Sequence, residues 1–208
     1  MEIRIEQELF NWNYKYKVFN NHSLLLTAQA NRTILPRFRS VSIMDTSNNE
    51  TWQLKQEKLL WFIAELIPII NWFLPNGCPY AIYKNGQKVG QITEHYLLKG
   101  GTYSANIENQ QFKVYSHSGN DYSIFINEKQ IGLIKRNAWK TGDGDKYKVL
   151  YDKNLKPVLA AIFAIIVDIC NYTNDTGIDL VSYETTIWQF GSKEENKKWL
   201  PQDDLETL

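Results

Sequence analysis

The sequence predicts a mainly β fold, a closed antiparallel barrel of about twelve strands around one buried apolar helix near the C-terminus, with a helical insertion in its first half. Three observations carry this prediction. A hairpin-length unit recurs along the chain, turn residues punctuate it at intervals of roughly ten positions as far as residue 151, and an unbroken apolar run follows Pro157.

The recurring unit is clearest where Tyr80-Ala81-Ile82-Tyr83-Lys84-Asn85-Gly86-Gln87-Lys88-Val89-Gly90-Gln91-Ile92 aligns without a gap against Tyr122-Ser123-Ile124-Phe125-Ile126-Asn127-Glu128-Lys129-Gln130-Ile131-Gly132-Leu133-Ile134. The Tyr80/Tyr122, Ile82/Ile124 and Val89/Ile131 pairs fall on the inner face. Asn85 and Asn127 open the turn, and Gly90 and Gly132 mark a bend or a close approach in the returning strand. Weaker copies begin at Tyr16 and at Tyr147. Stretches around Phe38 to Met44, Thr51 to Gln56 and Tyr103 to Tyr115 bring the total to about ten to twelve strands, more than one open twisted sheet holds comfortably. Closure also removes the exposed edges.

Pro157 changes the pattern. It suits a first helical turn, and Val158 through Val167 carry no polar residue before Asp168. A helix that is apolar on every face needs a sheath on every face, of lipid or of protein. Ten to fifteen residues rise only about 15 to 22 Å, short of a hydrocarbon core of roughly 30 Å, so the sheath is the chain's own strands.

Composition bounds the function. The 208 residues are 43% apolar, and at this length folding buries roughly 70% of the extended chain's surface, enough for a core without metal or disulfide support. Basic residues number 23 and acidic residues 23. A neutral chain lacks the positive footprint of a nucleic-acid binder, so no nucleic-acid partner is expected. The N-terminal Met1-Glu2-Ile3-Arg4-Ile5-Glu6 alternates charge and apolarity and shows no export signal, which leads to the expectation of a cytoplasmic protein, peripheral to the membrane if it meets one. Cys78 and Cys170 are too few for a disulfide framework. His22, His95 and His117 lack metal-ligand spacing, and no phosphate loop or nucleophile motif occurs. No catalytic residue, metal or cofactor is therefore expected.

The Tyr-x-Ile-Tyr-x-Asn-Gly hairpin at Tyr80 to Gly86, its echo from Tyr122, and the closing helix Leu159-Ala160-Ala161-Ile162-Phe163-Ala164-Ile165-Ile166-Val167-Asp168 resemble the LURP-one-related family. The resemblance covers about residues 3 to 172. It implies the fold shared with tubby C-terminal domains and phospholipid scramblases, a twelve-stranded barrel enclosing a hydrophobic helix, and through those relatives a lipid-facing role. It supplies no catalytic residue, and fold alone transmits no activity.

Two features depart from the family pattern, and they divide the chain into a barrel domain over 1–173, with an apolar insertion at 59–76, and an extension over 174–208. Read as a helix, Leu59 to Leu74 puts Leu59, Phe62, Ile63, Leu66, Ile67, Ile70 and Phe73 on one face and Trp61, Glu65, Pro68 and Trp72 on another; Pro68 would kink or break it. It is either a buried lid on one barrel end or an apolar loop that enters a membrane interface with Trp61 and Trp72 at headgroup level. Basic residues gather at Arg32, Arg37 and Arg39 and at Lys135, Arg136, Lys140, Lys146 and Lys148. If the second group shares a face with Trp139, it suits anionic lipid headgroups or a phosphorylated partner. Asp168, a carboxylate at the negative end of an apolar helix, needs a partner and is expected at the barrel mouth against loop backbone or a cation.

The function these features suggest is a non-catalytic, peripheral lipid-binding module that uses Trp61, Phe62, Ile63, Ile67, Ile70 and Trp72 with Lys135, Arg136, Trp139 and Lys140. The alternative is a protein-interaction scaffold built on the insertion and the C-terminal tail.

Overall fold

The computed structural model describes residues 1–10, 13–31, 40–56, 79–95, 102–117, 121–137, 145–171 and 199–201. Twelve strands follow one another as an up-and-down meander: β1 (Glu2–Phe10), β2 (Asn13–Asn20), β3 (Ser23–Asn31), β4 (Ser40–Asp45), β5 (Glu50–Gln56), β6 (Tyr80–Lys84), β7 (Gln87–His95), β8 (Thr102–Ile107), β9 (Gln110–Ser116), β10 (Tyr122–Ile126), β11 (Lys129–Asn137) and β12 (Lys146–Tyr151). Each pairs antiparallel with its neighbours in sequence, and β1 pairs with β12 to close the barrel. Closure leaves no edge strand unpaired, which resolves the hazard that twelve strands would otherwise present.

The inner face follows the period-two alternation of the sequence. Val18, Leu26, Ala28, Val41, Ile43, Trp52, Leu54, Ile92, Phe112, Val114 and Val149 are all buried in one core. The helix α1 (Pro157–Asn171) fills that core. Ala160, Ala161, Ile162 and Phe163 are wholly withdrawn from solvent, and the Phe163 ring stands 5.3 Å from that of Phe112. The apolar rod is thus sheathed by strands, as its length requires. Among the described residues, no helix is long and apolar enough to cross a membrane.

The recurring unit is a real structural repeat. Hairpin β6–β7 carries a register shift between Ile82 and Tyr83, β10–β11 carries one between Ile124 and Phe125, and β2–β3 carries one between Val18 and Phe19. Three copies of the motif therefore share one bulge at the same place. The two glycines mark close approaches. A Cβ on Gly90 would stand 2.1 Å from the Asn106 carbonyl oxygen, and one on Gly132 would stand 2.9 Å from Cδ1 of Ile124.

The two rims of the barrel are built differently. At the rim where α1 begins, strands are joined by residues 21–22, 46–49, 85–86, 108–109 and 127–128. Every described residue with positive φ lies there: Asn21, Asn49, Asn85, Gly86, Glu108, Asn109 and Asn127. Tight hairpins need the left-handed region, and asparagine enters it at low cost. At the other rim, where α1 ends, the longer connections 32–39, 57–79, 96–101, 117–121 and 138–145 leave the wall, together with residues 11–12. The insertion from Leu59 to Leu74, Trp139, Lys140 and, apart from residues 199–201, the extension over 174–208 lie outside the described residues.

Candidate functional site

The loop rim holds a buried polar knot centred on Asp168 in the last turn of α1. Its Oδ2 accepts hydrogen bonds from Gln7 Nε2 on β1 at 2.7 Å and from the Tyr16 hydroxyl on β2 at 2.6 Å. Its Oδ1 accepts from the Tyr147 hydroxyl on β12. Gln7 carries the connection outward: its Oε1 accepts from the Asp145 backbone N–H at 3.1 Å, and its own N–H donates to the Asp145 carbonyl at 2.9 Å. Asp145 in turn accepts from Arg136 on β11, from Nε at 3.0 Å and from the terminal nitrogen at 2.5 Å.

This arrangement explains how a helix of apolar residues ends on a carboxylate. Burial pushes Asp168 up to about 6, because desolvation penalises the charged form; the phenol hydrogen bonds oppose that shift, the Asp145 charge adds to it and the Arg136 charge reduces it. Burial and the neighbouring carboxylate drive both tyrosines upward, so Tyr16 and Tyr147 remain protonated donors. The partners differ from the sequence expectation. They are inward side chains of three strands, not loop backbone or a cation, because Asp168 lies within the wall rather than above it. Tyr16 and Tyr147 are the opening tyrosines of two of the sequence repeats, so their inward position was legible; their convergence on one carboxylate depends on barrel closure through β1–β12.

Among the described members of the second basic group, Arg136 leaves the outer face that Lys135, Lys146 and Lys148 share. Lys135 stands opposite Lys148, and Lys148 opposite Arg4, across the outer wall of β11, β12 and β1. That wall is mixed in charge, since Lys148 pairs with Glu2 at 2.7 Å, Arg4 with Glu6 at 3.3 Å and Lys17 with Glu8 at 2.7 Å. Arg136 alternates to the other side and is committed to Asp145. Strand alternation separates consecutive residues to opposite faces, so Lys135 and Arg136 cannot both present charge to one surface. Trp61, Phe62, Ile63, Ile67, Ile70, Trp72, Trp139 and Lys140 lie outside the described residues, but the strand ends that flank them, β5 and β6 for the insertion and β11 and β12 for the basic loop, all open on the loop rim.

Other candidate chemistry is structural in form. His117 Nε2 and Ser123 Oγ are 2.8 Å apart, yet Ser123 is wholly buried and its oxygen also accepts from Gln130 Nε2 at 3.1 Å. Asp45 is caged by the turn that follows β4, accepting from the backbone N–H and hydroxyl of Ser47 and from the backbone and side-chain N–H of Asn48. Cys170, in the last turn of α1, is partly buried against the core. Two described concavities, of about 380 and 450 Å³, lie over β2–β5 and over β7–β9 on the outer wall, lined by residues such as Thr27, Met44 and Gln53 in the first and Gln91, Ser104 and Lys113 in the second.

A closed antiparallel barrel wrapped on an apolar rod, with tight turns at one rim and long connections at the other, defines the class of protein. Within that class, the LURP-one-related family model matches residues 1–168, and the chain belongs to the LURP-one-related family. The match ends at the residue that ties α1 to the wall. Neither the comparison with curated proteins nor that with solved structures found a match.

Proposed function

We propose that this chain is a non-catalytic, cytoplasmic, peripheral lipid-binding module whose loop rim faces an anionic membrane surface. The observation that carries the reading is the asymmetry of the rims. The segments with exposed-membrane chemistry in the sequence, the apolar insertion with Trp61 and Trp72 and the loop with Trp139 and Lys140, both leave the wall at the rim where α1 ends. Apolar and tryptophan-rich segments beside basic residues suit an interface of headgroups and upper acyl chains. The barrel itself, rigid and filled, serves as the mount.

Vesicle co-sedimentation tests this. The intact chain is expected to pellet with vesicles containing anionic lipid, less with neutral vesicles, and to lose most of that recovery when residues 59–74 are deleted. Equal recovery of both forms, with no dependence on anionic lipid, would sink the proposal. A protein captured through residues 174–208 with no lipid binding would favour the scaffold reading.

A further inference from the structure

The outer wall of a closed barrel is convex, so a hollow in it needs a raised border. The concavity of about 450 Å³ over β7–β9 has one. Asn127 and Glu128, at the tip of the β10–β11 hairpin, stand along its edge, and the register shift between Ile124 and Phe125 bends the hairpin that carries them. Strand register sets the floor. Gln91, Asn106 and Gln111 lie directly opposite one another on three consecutive strands, and Thr93, Ser104 and Lys113 form a second row two residues along. The residues between the rows, Ile92, Ala105 and Phe112, are buried, so both rows point outward. Neighbouring strands are about 4.8 Å apart and the two rows about 6.6 Å apart, a grid fixed by backbone pairing.

The chemistry of this grid differs from that of the rest of the wall. On β1 and β12 the outward residues are ionic and satisfy one another, as Glu2 does with Lys148 and Arg4 with Glu6. In the hollow they are mostly amides and hydroxyls. Gln91, Asn106 and Gln111 are exposed, Thr93 and Ser104 are half-buried, and the positive charge of Lys113 is offset by Glu128 on the border. Each amide both donates and accepts hydrogen bonds. Ser104 is held in place, its Oγ 2.7 Å from His95 Nε2. The concavity of about 380 Å³ over β2–β5 is less suited to a polar ligand, because the exposed thioether of Met44 lies in it and Lys17 is already paired with Glu8.

We propose that the hollow over β7–β9 binds a neutral saccharide of about disaccharide size, with Gln91, Asn106 and Gln111 hydrogen-bonded to its hydroxyls. The volume falls within the range of small-ligand sites. An apolar ligand would strip water from the amides without replacing their hydrogen bonds, and a multiply charged one would meet a single cation and a single anion. A polyhydroxylated ring returns those hydrogen bonds one for one. Because strand pairing already fixes the rows, little order has to be imposed on binding. The site is open to water, so the expected dissociation constant is on the order of 0.1–1 mM. Asn127 and Glu128 belong to a tight connection of the turn rim, so a ligand beside them leaves the loop rim free, and this inference does not rest on the lipid-binding reading.

Nuclear magnetic resonance titration of the full-length chain tests the proposal, with cellobiose, maltose, lactose and trehalose each added to about 10 mM and the side-chain amide signals of Gln91, Asn106 and Gln111 as the readout. At least one of the four sugars is expected to shift those signals saturably. Asn106→Ala combined with Gln111→Ala should weaken that binding at least about tenfold, while the backbone spectrum and the recovery with vesicles stay as in the native chain. If the double substitution disturbs the fold, Gln91→Ala alone decides, with a loss in the same direction. Absence of a saturable shift with all four sugars would overturn the proposal. So would saturable shifts confined to β2–β5, full binding by the substituted chain, or an equal response to glycerol at the same concentration.

Discussion

The two rims of this barrel solve the same problem, joining antiparallel neighbours, by different means. At the turn rim, five short connections rely on backbone geometry that asparagine and glycine supply locally, and side chains reinforce it: Asn85 Oδ1 accepts from the Thr51 N–H at 2.9 Å, and Lys84 bridges to Glu50 at 2.7 Å. At the loop rim, the described structure relies on one long-range knot, in which residues 7, 16 and 147 converge on Asp168 and Asp145 joins through Gln7. The lesson is about tolerance. A rim set by local geometry keeps strand register whatever the opposite rim carries, which frees that opposite rim to accept an insertion between β5 and β6.

The comparison can be broken most sharply in the wall that separates the rims. Gly90→Ala should destabilise by about 3 kcal/mol or more in chemical denaturation, since its Cβ would collide with backbone of β8 that cannot move alone, whereas Gly132→Ala should cost about 1 kcal/mol because only the Ile124 side chain must shift. Equal costs at the two glycines would mean that the repeats are packed alike.

At the loop rim the expected effect depends on pH. Asp168 is raised from 3.8 to about 6 on folding, so its contribution to stability is fully present below about pH 3.8 and is lost as pH rises through about 6. Relative to an Asp168→Asn variant, the native chain should therefore lose about 2–3 kcal/mol between pH 4 and pH 7. Urea unfolding of both proteins across that range measures it, and parallel pH profiles would remove the knot from the account.

The turn rim should respond less and without that pH dependence. Asn85→Ala places alanine at φ 48° and removes the acceptor for Thr51, for an expected cost of about 1–2 kcal/mol. Smallest of all, Lys84→Ala removes an ion pair whose side chains are 25% and 26% exposed and should shift stability by less than about 1 kcal/mol, an effect that salt reduces. A larger loss there would show that the charges of the turn rim, including the Lys156–Glu108 pair, act as a network.

The fold was legible because its signals are local. Tyr80, Ile82, Asn85 and Gly90 each state their own requirement, and the copy from Tyr122 states it again. The site was legible only in part. Asp168 announced itself as a carboxylate in an apolar helix, but its partners Tyr16 and Tyr147 are 131 residues apart in sequence and meet only because β1 pairs with both β2 and β12. Lys135 and Arg136 show the converse: adjacency in sequence became opposition in space once they entered one strand.

By itself, the sequence determined the alternation that puts one face of each strand inward, the turn residues that fix hairpin register, and the uniform greasiness of α1 that forces a sheath around it. Each follows from chemistry acting over a few bonds or turns. Only the tertiary structure decided which residues meet across the closed wall: the tyrosines around Asp168, the pairing of Arg136 with Asp145, and the outward Ser123 and Leu133 hidden from water. Those depend on distances between segments far apart along the chain, which closure of the barrel sets and no local pattern records.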